Sequence, residues 1–589
     1  MKRFIVRFLA IVGALSIIVV LAVGGFLLLG ALSTPGVPAK TILEVNFETA
    51  VIEDTPNDPI AKAMMQDTPV MRDIVDALEK AGDDNRVAGL VARIGAAPMG
   101  LAQVQEIRDA VLAFRAKKKF AIAFSETFGE VGPGSGAYYL ASAFDQIYLQ
   151  PSGDVGLTGI IMESPFLKGT LDKLGVSPRM DHRYEYKNAM NLFTETKYTA
   201  AHKEATEKVM HSWFSQILKG IAEGRHLTDD QVRALVDKGP FLGKEAVDAG
   251  LVDVVAYRDE AYAEAKKKAG DNAQFLYLDK YLARAGRPHQ SGKTIALVYG
   301  VGGVQRGKSG FDPVFGDVAM GSDTVAGALR AAIEDKDVKA ILFRVDSPGG
   351  SYVASDAIWR ETVRAKEAGK PVIVSMGDVA GSGGYFVAMA ADKIVAQPGT
   401  ITGSIGVLGG KMLTSGFWDK VGLSWDEVHD GANATMFTGT RDYTPAEWAE
   451  FQGWLDRVYV DFTGKVAEGR KLPKEKVLQI AKGRIWSGED GKSLGLVDEL
   501  GGFPKALQLA KQAAGIPEGE DVNLKQFPTK KSTWDVLFGE SAESSEREGA
   551  SAALAQTLRT IQPVARRLRM LTSVADRGVL SMPPIEVKH

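Results

Sequence analysis

The chain has 589 residues, 45% of them hydrophobic and 24% charged, which is long and apolar enough for two or more packed domains and excludes a globally disordered chain or a small disulfide scaffold. Lys plus Arg total 70 against 73 for Asp plus Glu, a formal charge of -3, so the chain carries no overall electrostatic footprint for nucleic acid. It contains no cysteine, which removes thiol nucleophiles, thiolate zinc sites and disulfides and leaves covalent catalysis to another nucleophile.

Lys2, Arg3 and Arg7 precede an uncharged run from Phe8 to Ala39 whose first 24 residues, to Ala31, are almost wholly apolar and long enough to span a bilayer. A secretory signal has an apolar region of about 7 to 15 residues, so the run reads as an uncleaved anchor, although Ala31-Leu32-Ser33 resembles a small-x-small cleavage site. Residues 1–39 are thus a cytoplasmic stub, an anchor and the start of a linker. The basic flank predicts single-pass insertion with everything after Ser33–Pro38 across the membrane, in a bacterium the inner membrane and the periplasm.

The rest of the chain reads as a duplication. Gly134-Ser135-Gly136-Ala137-Tyr138 recurs as Gly381-Ser382-Gly383-Gly384-Tyr385 at an offset of 247, which also relates Asp145 to Asp392, Ile147 to Ile394 and Gln150-Pro151 to Gln397-Pro398. Gly175-Val176-Ser177 and Gly422-Leu423-Ser424 keep that offset. Upstream, Val87–Ile94 aligns with Val338–Val345 at an offset of 251, pairing Arg93 with Arg344. In each half a β-prone run (Leu90–Ile94; Ala340–Val345) is followed by a Gly/Pro turn, a helical stretch and a second strand (Phe120–Phe124; Pro371–Ser375), the pattern of βαβ units and a mainly parallel sheet. The halves are placed at 43–290 and 292–515, divided at Gly286-Arg287-Pro288. Residues 516–589 form a peripheral extension, in which the amphipathic stretch Ala552–Leu571, with Arg559, Arg566, Arg567 and Arg569, reads as a solvated helix face or a contact with membrane or neighbouring subunit.

Two Gly-rich turns follow strands in the second half. Asp346-Ser347-Pro348-Gly349-Gly350 can present backbone N–H groups to a ligand, and so can an ordinary strand-to-helix turn. In Gly381-Ser382-Gly383-Gly384 a serine flanked by glycines can expose its hydroxyl; taken alone, a plain turn and a nucleophile fit equally well. Acyl transfer requires two backbone donors aimed at one developing oxyanion, for which Gly350 and Gly383 are the candidates. The histidines (His182, His202, His211, His226, His289, His429, His589) carry no accompanying motif that nominates a Ser-His-Asp triad.

On these motifs the chain resembles the signal peptide peptidase A (protease IV) family in its long, duplicated form, over the anchor and both halves. The resemblance implies tandem crotonase/Clp-protease-like α/β domains behind a transmembrane helix and a Ser-Lys dyad split between the halves. Ser382 matches the family's serine motif, and Tyr186-Lys187-Asn188-Ala189 followed by Phe193-Thr194 matches its lysine motif, nominating Lys187 as general base. Thr402-Gly403-Ser404-Ile405-Gly406 matches the motif whose serine orients that lysine, nominating Ser404. The implied substrates are hydrophobic membrane-associated peptides, including cleaved signal peptides; the implied assembly is a homotetramer on a lipid bilayer, with no metal, cofactor or nucleic acid.

The duplication sharpens the assignment by asymmetry. Ser135 stands opposite Ser382, but Ala96-Ala97-Pro98-Met99-Gly100 lacks the full Pro-Gly-Gly turn and Val155-Gly156-Leu157-Thr158-Gly159 has leucine opposite Ser404. Ala434 falls opposite Lys187, so each half keeps one member of the dyad. A lysine near pKa 10.4 needs that value lowered by roughly 3 units to act as a base at neutral pH, which demands desolvation and no carboxylate nearby. Glu185, two residues away, would share the face of Lys187 in an extended segment and oppose that shift unless the chain turns there or Glu185 is solvated. The rival readings are a crotonase-like acyl-CoA enzyme, which also uses paired oxyanion amides, and a catalytically silent membrane scaffold.

Overall fold

In this computed structural model the described residues are 35–65, 68–96, 98–529, 580–582 and 586–588, with positions 13, 16, 18 and 19 of the apolar N-terminal run. The predicted anchor falls almost wholly outside them, as does the stretch 552–571; among the described residues no helix is long and apolar enough to cross a membrane.

Each half is built on a parallel sheet, and the two sheets repeat one strand order. In the first, Gln274–Tyr277, Thr41–Phe47, Val87–Ile94, Phe120–Ser125, Gln146–Leu149 and Val254–Val255 lie side by side. In the second, Val522–Phe527, Lys293–Val301, Val338–Ser347, Val372–Gly381, Lys393–Ala396 and Glu499–Leu500 follow the same sequence. The central strands read as near-continuous apolar runs because helices cover both faces: Ile341, Phe343 and Val345 point into one cluster and Ala340 and Leu342 into another. The predicted strands are present, and in both halves each runs past its predicted limit at one end or both. The second half also reaches past the predicted limit of 515, because Val522–Phe527 supplies its outer strand beside Lys293–Val301.

Two further pairings position the site; the first has a short counterpart in the first half, where Asp154–Val155 pairs antiparallel with Phe241–Leu242, and the second crosses between the halves. Val372–Gly381 runs on past the main sheet to pair with Ile401–Gly403, which in turn pairs antiparallel with Ile485–Ser487. From the first half, Ser177–His182 crosses over and pairs antiparallel with Leu408–Leu413, with His182 opposite Leu408.

The halves are also locked by buried polar side chains. Arg344, 2% exposed, forms a bidentate pair with Glu53 (2.8 and 3.1 Å) and donates to Glu106 at 2.8 Å, both carboxylates coming from the first half. Helix Leu101–Ala116, which carries Glu106, also reaches the second half through Gln105, which accepts from Gly399 N–H at 2.7 Å, and Asp109, which accepts from Gln397 at 2.8 Å. The duplicate partner of Arg344, Arg93, stays within its own half on Glu48 and is partly exposed. A buried ion cluster loses far more when one partner is deleted than a partly solvated pair does. Arg344→Ala should therefore lower the unfolding free energy by about 3 to 5 kcal/mol, and Arg93→Ala by no more than about 1 kcal/mol, as read from urea unfolding midpoints; equal effects would refute this difference between the two arginines.

Candidate active site

Strand Val372–Gly381 ends in a backbone that turns sharply at Ser382 (φ 55°, ψ -116°), and helix Gly383–Ala388 starts immediately after. A positive φ at a non-glycine residue costs about 1 to 3 kcal/mol and persists only where surrounding structure enforces it. Here Ser382 N–H donates to Gly403 O at 2.8 Å and Phe386 N–H to Ser382 O at 2.8 Å. The geometry is a strand-to-helix elbow that lifts the hydroxyl away from both elements. Gly384 must be glycine, since a Cβ there would strike the carbonyl of Ser347. A Cβ on Gly383 would come within 3.0 Å of Gly350 N, so the two glycine backbones nominated as oxyanion donors abut each other beside Ser382.

Lys187 reaches this elbow because of the crossing strand. After His182, Arg183 N–H continues the ladder to Val407 O at 2.9 Å, the chain turns at Tyr184 (φ 65°), and Tyr186 N–H donates to Lys482 O at 3.2 Å. Gly483, at φ 82°, lies against the lysine backbone; a Cβ there would come within 2.5 Å of Lys187 N, so only glycine lets the two segments close. The Lys187 Nζ lies within hydrogen-bonding distance of Ser382 Oγ (2.6 Å), Ser404 O (2.9 Å) and Ser404 Oγ (3.0 Å). Ser404 holds a second strained backbone (φ 49°) and is fixed by its N–H to Arg484 O at 2.7 Å. All three side chains are 0% exposed. Burial alone drives the Lys187 pKa well below the ordinary lysine value.

The five residues nominated from sequence thus converge on one point. The concern over Glu185 does not arise, because the turn at Tyr184 sends its carboxylate outward onto Lys482 at 3.2 Å, on the exposed side of the loop. Among the described residues no histidine hydrogen-bonds Ser382. In the first half Ser135 lies inside helix Ser135–Ala141, without the elbow, and its hydroxyl is tied to Gly159 O at 2.7 Å, while Ala434 is solvent-exposed.

Sequence reading gave no role to two carboxyls behind the elbow. Asp346 accepts from Val379 N–H at 2.9 Å, and Asp378 accepts from Gln103 N–H of the first half at 2.9 Å. Burial, reinforced by Glu53, pushes Asp346 up to about 7; burial and the Asp346 charge raise Asp378 well above the carboxylate range. Gly100 and Gln103, at the start of helix Leu101–Ala116 of the first half, pack against Asp378, a contact for which a local motif carries no signal. A cleft of about 810 Å³ opens alongside, between Met99, Gly100 and Trp213 of the first half and Asp378, Val379 and Ile401 of the second.

The family described as "Peptidase family S49" matches residues 114–272 and 364–517, one segment in each half. Protease 4 of Haemophilus influenzae is 32% identical over 531 residues, 86% of this chain and 83% of that protein. Protease 4 of Salmonella typhi is 32% identical over 458 residues, covering 76% of this chain and 72% of its own length. The chloroplastic serine protease SPPA of Arabidopsis thaliana is 30% identical over 474 residues, 78% of this chain and 68% of that protein. A solved ClpP1 mutant of Listeria monocytogenes matches at 15% identity and a TM-score of 0.22, covering 36% of this chain and 94% of its own. A match in both halves, together with relatives aligned over more than two thirds of their length, places the chain in peptidase family S49 as a serine protease.

Proposed function

We propose that the protease works through a Ser-Lys dyad split between its halves and degrades hydrophobic membrane-associated peptides, signal peptides among them. The observation that carries this reading is a lysine amine without a carboxylate partner, wholly buried and within 2.6 Å of a serine hydroxyl on a strained turn. In the neutral state the amine accepts the Ser382 proton as Oγ attacks the peptide carbonyl; the N–H groups of Gly350 and Gly383 receive the oxyanion. The resulting lysine ammonium returns that proton to the leaving amine, giving an acyl-enzyme, and a water activated by the same amine hydrolyses it. Ser404 acts as a positioning residue, holding the amine toward Ser382 through its hydroxyl and carbonyl. Peptide specificity, the anchor at residues 8–39 in a bacterial inner membrane, the periplasmic placement of both halves and a homotetramer are extensions of the same reading, supported by the uncharged N-terminal run and the family resemblance. The acyl-CoA and scaffold readings have no comparable support once the relatives are proteases.

In hydrolysis of a hydrophobic signal-peptide fragment by detergent-solubilised protein, Ser382→Ala and Lys187→Ala should each lose at least about a thousandfold in kcat/KM. Ser404→Ala should lose about a hundredfold, and Ser135→Ala should match wild type. Substantial activity in either of the first two variants would overturn the dyad.

The depressed Lys187 pKa also links stability to pH. Between its folded value and the ordinary value of 10.5, the unfolded chain holds a proton that the folded chain lacks, so stability from this group is lost as pH falls through that window. Lys187→Met removes the linkage. The stability difference between variant and wild type should grow in the variant's favour by up to about 1.4 kcal/mol per pH unit as pH drops within the window. The wild-type kcat/KM should rise with pH across the same depressed pKa. A pH-independent difference in unfolding free energy would mean that the buried amine keeps its proton.

A further inference from the structure

The first half keeps a groove where it has lost the nucleophile's turn. The bridge between Phe128 and Val155 and the bond from Gly134 N–H to Gly156 O (2.8 Å) repeat the pairing of Val379 with Ile401 and the bond from Ser382 N–H to Gly403 O. The cleft of about 810 Å³ opens at this point. Pro98 and Met99, which stand where the second half has its glycine turn, line one part of it, and Glu126 and Glu130, on the stretch leading to Ser135, line another. Ten positions separate Phe124 from Gly134 and six separate Ser375 from Gly381, so this stretch is four residues longer than its counterpart. The second half closes the cleft with Val379 and Ile401. Val379 lies three residues before Ser382, roughly 10 Å of extended chain.

The lining described here carries four carboxylates, Glu48, Glu126, Glu130 and Asp378, and no basic side chain, in a chain whose formal charge is only -3. Two of the four are engaged, Glu48 with Arg93 and Asp378 with Gln103 N–H. Glu126 and Glu130 are exposed and have no ion-pair partner among the described residues. Deeper in, the surface is apolar, with Met99, Ile401 and Trp213 each no more than 5% exposed. The indole N–H of Trp213 has no acceptor among the described residues, and a peptide carbonyl in the cleft would supply one. We propose that this cleft is a second, non-catalytic peptide subsite, which takes a basic side chain next to an apolar run and holds one end of a substrate while its scissile bond lies at Ser382. The inference deepens the reading of the protein as a peptidase of hydrophobic peptides and rests on it. Lysine and arginine lay their aliphatic stems on apolar surface and keep their charged heads in water, which matches an apolar floor under an acidic rim. A cleft lined by one sign of charge also concentrates ligands of the other, so the rim selects basic peptides even where each ion pair adds little affinity. A copied groove that loses its nucleophile thereby keeps the binding half of its work.

Binding is read without cleavage in the full chain carrying Ser382→Ala. Fluorescein-labelled Leu/Ala-rich peptides with two lysines at the N-terminal end, two at the C-terminal end, or glutamines in both places are titrated by anisotropy. One lysine peptide should bind about fivefold more tightly than the glutamine peptide, and that advantage should vanish in Glu126→Gln/Glu130→Gln and shrink at about 0.5 M salt. Both glutamates are exposed, so the double variant keeps the fold. Ala96→Trp, which fills the cleft from an exposed position on its lining, should weaken binding of the preferred peptide by at least about threefold. Equal dissociation constants for all three peptides, or a lysine preference that survives both altered forms, would overturn the proposal. With Ser382 intact, the double variant should raise KM for the preferred peptide and leave its kcat unchanged; a loss confined to kcat would count against the subsite. Failure of the underlying reading looks different: wild-type protein that cleaves none of these peptides would refute hydrophobic peptides as substrates, whatever the binding result.

Discussion

A lysine amine taken wholly out of water is the constraint around which this molecule is organised. Charged, it would carry a desolvation cost that no carboxylate here offsets, and the groups within reach are two serine hydroxyls and a backbone carbonyl. Neutral, it needs one group to which it can donate and one from which it can accept. The carbonyl of Ser404 accepts a hydrogen bond from the amine, and the hydroxyl of Ser382, 2.6 Å away, can donate one to it. In the proposed dyad, the same burial that makes the amine costly to protonate lets it act as a base, so reactivity and the loss of stability at lower pH would have one physical origin.

Such burial needs a shell that neither half possesses alone. Lys187 belongs to the first half, yet its walls are Ser404–Gly406 and Lys482–Arg484 of the second, held by the crossing strand Ser177–His182. The register of that strand sets where the lysine lands, since slipping by one residue would turn its side chains to the opposite face. The Arg344 cluster and the paired acids Asp346 and Asp378 lie at the same junction. Asp346 is raised to about 7, so the stability it contributes falls as pH climbs from its ordinary value of 3.8 toward neutrality, opposite in sign to Lys187. The junction is thus a place where two buried titrations pull against each other.

Much of this was legible in the sequence. The 247-residue offset exposed the duplication, and the repeated apolar runs gave the parallel strands, because a sheet covered on both faces leaves a continuous hydrophobic signature. The elbow serine was visible as a residue between glycines, although its positive φ was not; Ser135 carries the same local letters and folds as the first residue of a helix. The partnership of Lys187 with Ser382 came from resemblance, since the two lie 195 positions apart and no local pattern joins them. What stayed hidden were contacts made by one half on the other. Asp378 reads as a turn residue until the helix carrying Gln103 covers it, and Val522–Phe527 reads as a tail until it pairs with Lys293–Val301.

The duplication also explains why the two halves are unequal. A copied domain that kept both serine and lysine would hold its base by local contacts and could be active before its partner docked. Here the first half has lost the elbow at Ser135 and the second carries exposed Ala434 opposite Lys187, so neither retains a complete set. Lys187 is brought to Ser382 by a strand that pairs only across the junction, and burial at that junction is what lowers its pKa. In the proposed dyad, a chain whose halves have not docked leaves Lys187 solvated, protonated and away from Ser382, so the nucleophile would gain its base only as the junction closes.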